Sequence, residues 1–210
     1  MNISMNNITK YFNDRPVLSD FSLQIEHNEY ICLKGQSGCG KTTILNILSG
    51  MEKADSGTIV CEGIVSGCIS SMIISKETKK LPYYRKKVVS YAPCGNVLLD
   101  ALTVYENICF DKPINKDFIN TLLETLQITD IKNKYPYMIS SGEYKRAVIA
   151  RTIATDTPFM IFDEPTSNLD GKSAEIIANT IVGLEGKGIV VATHDERLMK
   201  GKIILCENGD

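Results

Sequence analysis

The chain has 210 residues, 43% hydrophobic and 23% charged, with a formal charge of −2 at pH 7, the profile of one compact globular unit. That near-neutral balance gives no electrostatic case for nucleic acid as the main partner, and no apolar run approaches the ~18 residues of a membrane helix. The seven cysteines include no C-x-x-C pair for zinc, and Met1-Asn2-Ile3-Ser4-Met5 lacks the basic-then-apolar plan of a signal peptide, so a cytoplasmic chain with free thiols is expected.

In chain order, residues 1–33 read as short strands, with Phe21, Leu23 and Ile25 alternating against Ser22, Gln24 and Glu26. Asp55-Ser56-Gly57 signals a turn into a strand over 58–61, and a further strand over 88–91 ends before Pro93. Between them lies the main basic cluster, Lys76, Lys79, Lys80, Arg85, Lys86 and Lys87 around Tyr83 and Tyr84. It reads as a solvated loop, or as a surface drawn to anionic lipid headgroups. From Thr103, spaced with Glu106 as a capping box, the pattern turns helical, and 115–128 carries an amphipathic stripe behind an Asn115 cap. Helix 143–155, strand 159–162, helix 171–183, strand 189–193 and strand 202–206 follow. Such alternation predicts an α/β fold with a mostly parallel sheet. The expected layout is one domain over 1–210, with an antiparallel N-terminal β element and a helical insert over roughly 94–142.

The strongest chemical signal is Gly35-Gln36-Ser37-Gly38-Cys39-Gly40-Lys41-Thr42, which fits G-x-x-x-x-G-K-[ST] without a mismatch. Glycines let successive backbone N–H groups turn toward a β-phosphate, and the following helix, opening through Thr43, aims its positive end at the same anion. Lys41 supplies a cation between the β- and γ-phosphates, and the Thr42 hydroxyl can ligate Mg²⁺. A strand candidate at 30–33 precedes the loop, so a nucleoside triphosphate site is predicted. Cys39 saves space there, and its thiol is expected close to the phosphate. Farther on, an apolar run over 159–162 ends in Asp163 and Glu164, where a parallel sheet puts its chemical groups. Asp163 is placed to hold Mg²⁺ through water, and Glu164 to orient or deprotonate an attacking water.

Two further segments and two single residues carry a family resemblance. Ile139-Ser140-Ser141-Gly142-Glu143 resembles the Leu-Ser-Gly-Gly-Gln signature of ATP-binding-cassette (ABC) proteins, and Ser167-Asn168-Leu169-Asp170 looks like that family's D-loop. His194 falls where the family has its switch histidine, and Tyr11 matches the aromatic on which adenine stacks, although Phe12 could serve instead. With the phosphate loop these motifs run in the family's order across essentially the whole chain. The resemblance implies an ATPase using ATP and Mg²⁺. Two copies would close head to tail, each γ-phosphate lying between Lys41 of one and Ser140 and Gly142 of the other. His194 would contact the γ-phosphate and help align Glu164 and the water. A separate transmembrane permease would be driven from the inner face of the membrane, and the wording of the motifs looks closest to peptide, bacteriocin or lipoprotein exporters.

Three positions depart from the family. Cys94 falls where a glutamine normally touches Mg²⁺ and the attacking water, and a thiol is a weak donor and a poor ligand for a hard cation. Ser141 replaces the first signature glycine and Glu143 the final glutamine, and the insert is short. Intact ATP binding with slow hydrolysis and an altered permease link is therefore expected. The alternatives are a nucleotide-gated module with weak hydrolysis and a non-transport ABC ATPase, though the chain shows neither heptads nor a second phosphate loop.

Overall fold

The computed structural model describes residues 1–65, 68–73, 78–110 and 115–206, built around two sheets. The first is antiparallel, in the order β2 (Arg15–Glu26), β1 (Asn2–Phe12), β4 (Ser56–Val65), β5 (Cys68–Ile73). The second is parallel, in the order β6 (Val89–Ala92), β7 (Phe159–Asp163), β8 (Gly188–Ala192), β3 (Tyr30–Lys34), β9 (Lys202–Leu205). The expected antiparallel element and mostly parallel sheet are both present.

β7 shows why its sequence is an unbroken apolar run. Phe159 and Ile161 enter one core with the antiparallel sheet and helix α1 (Lys41–Leu48). Met160 and Phe162 enter a second core with helices α5 (Ser141–Ala154) and α6 (Gly171–Val182). A strand buried on both faces has no polar alternate to show. The second core also takes Val104 and Ile108 from α3 (Val104–Ile108), and Ile119, Leu122 and Leu123 from α4 (Lys116–Thr125). The helical segment is therefore sealed onto α5 by the same apolar layer that covers the sheet. Asn107, fully buried, fastens the loop before α3 by accepting from the Leu99 N–H at 2.7 Å and donating to the carbonyls of Leu99, Leu102 and Thr103.

Several expectations are corrected. The N-terminal strands are long, not short: β1 and β2 form a hairpin whose connecting residues, Asn13 and Asp14, both have positive φ. Register shifts between Met5 and Tyr11 break the alternation, which made the strands look fragmentary. The basic cluster is not a loop. Leu81–Lys87 forms a helix, α2, with Pro82 in its first turn and Tyr84 fully buried, its hydroxyl donating to the Leu48 carbonyl at 2.8 Å. Arg85, Lys86 and Lys87 stay on the surface, and Lys76 lies outside the described residues. Val88 caps α2 rather than opening a strand, and α4 stops at Thr125, short of the positive-φ Gln127. α5 begins two residues earlier than its expected start at 143, because Ser140 and Glu143 form its capping box. Cys32, Cys39, Cys61, Cys94 and Cys206 are thiols rather than disulfides. Among the described residues no helix is long and apolar enough to cross a membrane.

Candidate active site

The loop from Gly35 to Gly40 joins β3 to α1. Gly38 and Gly40 sit at φ +87° and +92°, a region that side chains disfavour. Gly40 caps α1 without any side-chain acceptor, so the first-turn N–H groups of the helix remain available to an anion. Gln36, Ser37 and Gly38 form the exposed crest, and Lys41 is buried behind them. Its ammonium donates to the carbonyls of Gly35 (2.7 Å) and Gln36 (2.9 Å) and touches Cys39 Sγ at 3.8 Å, so the cation is held inside the loop. The Cys39 side chain is buried in the first core, and its N–H donates to the Gln36 carbonyl at 3.3 Å.

The carboxyl ends of three adjacent parallel strands converge beside this loop. From β7 comes Asp163, 1% exposed, accepting from the Thr42 hydroxyl at 2.9 Å. Burial raises its carboxyl above the usual range, while the Thr42 hydrogen bond opposes that rise. Next to it, Glu164 has φ +44°, outside the extended strand geometry. Its N–H is caught by the Ala192 carbonyl at 2.9 Å, and its carbonyl accepts from the Ser167 N–H (3.2 Å) and hydroxyl (2.9 Å). That bend swings the carboxylate to within 3.5 Å of Nε2 of His194, which follows β8. From β6, Cys94 reaches the same mouth, exposed, with its sulfur 3.9 Å from Ser167 Oγ.

Ser140 to Glu143 lie elsewhere. Ser140 Oγ accepts from the Glu143 N–H (3.3 Å), and the Glu143 carboxylate accepts from the Ser140 N–H (2.8 Å) and hydroxyl (2.9 Å). These bonds, the backbone one first, hold the Glu143 carboxyl below its usual range. Ser141 faces solvent, while Gly142 is buried so closely on α6 that a Cβ would come 2.9 Å from Ser173 Oγ. Asp170 caps α6 through the Ser173 N–H at 2.9 Å, and Arg146 Nη1 donates to Ser173 Oγ at 2.6 Å. No hydrogen bond or ion pair among the described residues joins 140–143 to the loop at 35–42. Within one chain no such contact joins the two halves of the expected phosphate site.

Tyr11 and Phe12 are both about half exposed at the tip of the β1–β2 hairpin. That hairpin neighbours the loop, since a Cβ on Gly40 would lie 3.1 Å from the Val17 carbonyl oxygen. Lys10 already lies over the Phe12 ring, 5.1 Å from its centroid, which favours Tyr11 as a stacking platform. Tyr11→Ala is expected to weaken ATP binding about tenfold, and Phe12→Ala far less. Titration with a fluorescent ATP analogue checks this, and the reverse order would move the base onto Phe12.

Sequence reasoning missed the fastenings of the loop that carries Cys94. The Tyr144 hydroxyl accepts from the N–H groups of Val97 and Leu98, each at 2.8 Å, and Arg151 donates to the Val97 carbonyl at 2.7 Å. It missed Tyr91 as well, which bonds Asn46 Oδ1 at 2.9 Å and also interacts with Asp163. Contacts this distant in sequence leave no local pattern to find.

A family model described as ABC transporter matches residues 18–167. The chain belongs to the ABC transporter family. Within that family it is an ATP-binding, ATP-hydrolysing cassette, as its motifs imply. It is 37% identical over 193 residues to the bacitracin export ATP-binding protein BceA of Halalkalibacterium halodurans, spanning 87% of this chain and 74% of that one. It is 31% identical over 210 residues to the lipoprotein-releasing system ATP-binding protein LolD of Treponema denticola, spanning 93% of this chain and 90% of that one. The dimeric structure of MJ0796, a bacterial ABC transporter cassette, matches with a TM-score of 0.82 at 26% identity, covering 97% of this chain and 94% of that chain. A dimeric post-hydrolysis state of that cassette, bound to ADP and Pi, matches with a TM-score of 0.81 at 25% identity, covering 98% of this chain and 94% of that chain.

Proposed function

We propose that this cassette is the energy-coupling subunit of an ABC exporter, closing head to tail with a second copy on two ATP molecules and driving a separate permease. The observation that carries the reading is the convergence of Lys41, Thr42, Asp163, Glu164 and His194 at the carboxyl ends of the central parallel strands. In this reading Lys41 and the N–H groups of the loop hold the phosphates. The Thr42 hydroxyl and the Asp163 carboxylate are hard oxygen donors facing one another, a donor set suited to Mg²⁺. Bound there, Mg²⁺ would offset charge on the β- and γ-phosphates. Glu164 takes the proton of the attacking water, and His194 steadies the carboxylate from the next strand. Ser140 and Gly142 receive the γ-phosphate of the second copy from the start of α5. Lys41 is bonded within its own loop and makes no hydrogen bond to them in one chain, which suits a site completed in trans.

The likeness to BceA and LolD, both named for export or release, supports an exporter, with the cassette peripheral on the inner face of the membrane. A groove of 380 Å³ among α2, β6 and α5, lined by Arg85, Tyr91, Pro93, Val97 and Arg151, adjoins the Cys94 loop and suits the permease contact. The whole chain is read as one domain with residues 94–142 as a helical subdomain, supported by the apolar core they share with the sheet. Cys94 at the mouth favours a second reading, a nucleotide-gated module with weak hydrolysis.

A phosphate-release assay tests the proposal. Wild type is expected to release phosphate from ATP, and Lys41→Ala to lose at least about a hundredfold of that rate. A release rate indifferent to Lys41 would sink the reading.

A further inference from the structure

Two buried cysteines flank the start of the loop. Cys39 is 3% exposed and Cys206, which follows β9, is 8% exposed, and both belong to the first core. The Cys206 N–H donates to the Lys34 carbonyl at 2.7 Å, which pins it beside the first residue of the loop. A Cβ built on Gly35 would run into the Cys206 carbonyl oxygen and come 2.6 Å from Cys39 Sγ, so the two cysteines border one point. Gly35 is thus the residue that makes room for the pair. Burial first, then the neighbouring Cys39, pushes the Cys206 thiol up to about 11. On the other side Cys39 Sγ touches the Lys41 ammonium.

We propose that Cys39 and Cys206 form a redox pair, which a peroxide converts to a disulfide that staples the phosphate loop to the end of β9 and turns off nucleotide binding. The chemistry balances. The Cys39 thiol takes one peroxide oxygen to become a sulfenic acid, releasing water. The Cys206 sulfur then attacks the Cys39 sulfur, the S–O bond breaks, and a second water leaves with the Cys206 proton. Two thiols are oxidised and one peroxide is reduced to two waters. The loss of binding follows from the loop. Its Cys39 N–H is bonded to the Gln36 carbonyl and must be released to meet phosphate, a motion that a covalent tether at residue 39 opposes. This last step rests on the phosphate-loop reading; formation of the disulfide does not.

The test treats the purified chain with hydrogen peroxide, alkylates the remaining thiols and maps the peptides without reduction. A linked peptide joining residues 39 and 206 is expected, with ATP affinity about tenfold weaker or worse and restored by dithiothreitol. ATP added first should slow the linkage, because coupling between two sites is reciprocal. Cys206→Ser should form no such link and keep its affinity under peroxide. Linkage of either cysteine to Cys32 instead, or an equal loss of affinity in Cys206→Ser, would overturn the pair. Linkage with unchanged affinity would overturn the switch. A chain that binds no ATP before oxidation would fault the loop reading alone, and the peptide map would still test the pair.

Discussion

Glu164→Gln is expected to lower ATP turnover by about a hundredfold or more, leave ATP binding intact, and trap a dimer. The amide keeps the shape of the carboxylate but cannot take a proton from water. His194, 3.5 Å from the carboxylate, loses a charged neighbour. The bend at residue 164 is held by backbone bonds to Ala192 and Ser167, so the fold should survive the substitution. Nucleotide contacts belong to the separate loop at 35–42, which explains why binding should persist. With hydrolysis blocked, ATP continues to favour the closed pair, and mass action lets that pair accumulate. Size-exclusion chromatography with light scattering, in Mg-ATP, reads the outcome. A variant that stays monomeric at high protein and ATP concentrations counts against head-to-tail closure.

Cys94→Gln should raise turnover by roughly tenfold, the effect of one well-aligned polar contact on a developing charge. An amide offers a carbonyl oxygen to Mg²⁺ and an N–H to water, where the thiol offers neither well. The competing picture, in which Pro93 and Gly95 turn this residue into the helical segment, would make glutamine too large for its site. The structure argues against it: Cys94 is exposed, its sulfur lies near Ser167 at the mouth, and a Cβ at Gly95 would meet nothing within 4 Å. The melting temperature should therefore hold while the rate rises. Unchanged turnover would mean that this loop does not serve the attacking water and would remove the main reason to expect slow hydrolysis.

The legible parts of this chain were those whose chemistry is local. Thr103 and Glu106, four consecutive apolar residues before Asp163, and eight residues from Gly35 to Thr42 each declare their role within one turn or one strand. The β1–β2 hairpin was misread because bulges disturb period-two alternation, and α2 was misread because six lysines and arginines obscured the single buried Tyr84 that anchors it. The direction of the Cys39 thiol was invisible for another reason. Any small side chain suits the loop, and only the approach of β9, more than 160 residues later, decides which way the sulfur turns. The contacts of Tyr144 and Arg151 with the Cys94 loop belong to the same class.

The bonds between Ser140 and Glu143 have a consequence for partnership between copies. A carboxylate of the same chain already occupies the hydroxyl and N–H of Ser140. If Ser140 receives the γ-phosphate of a second copy, as proposed, Glu143 is a tethered competitor for it, present at the high effective concentration that a three-residue separation ensures. On that proposal an incoming nucleotide must displace it before the opposing subunit can lock. Solitary subunits can load ATP without meeting this resistance, because the competitor guards only the trans surface. On the same proposal ATP loading comes first, and closure of the pair then carries the cost of displacing Glu143 from Ser140.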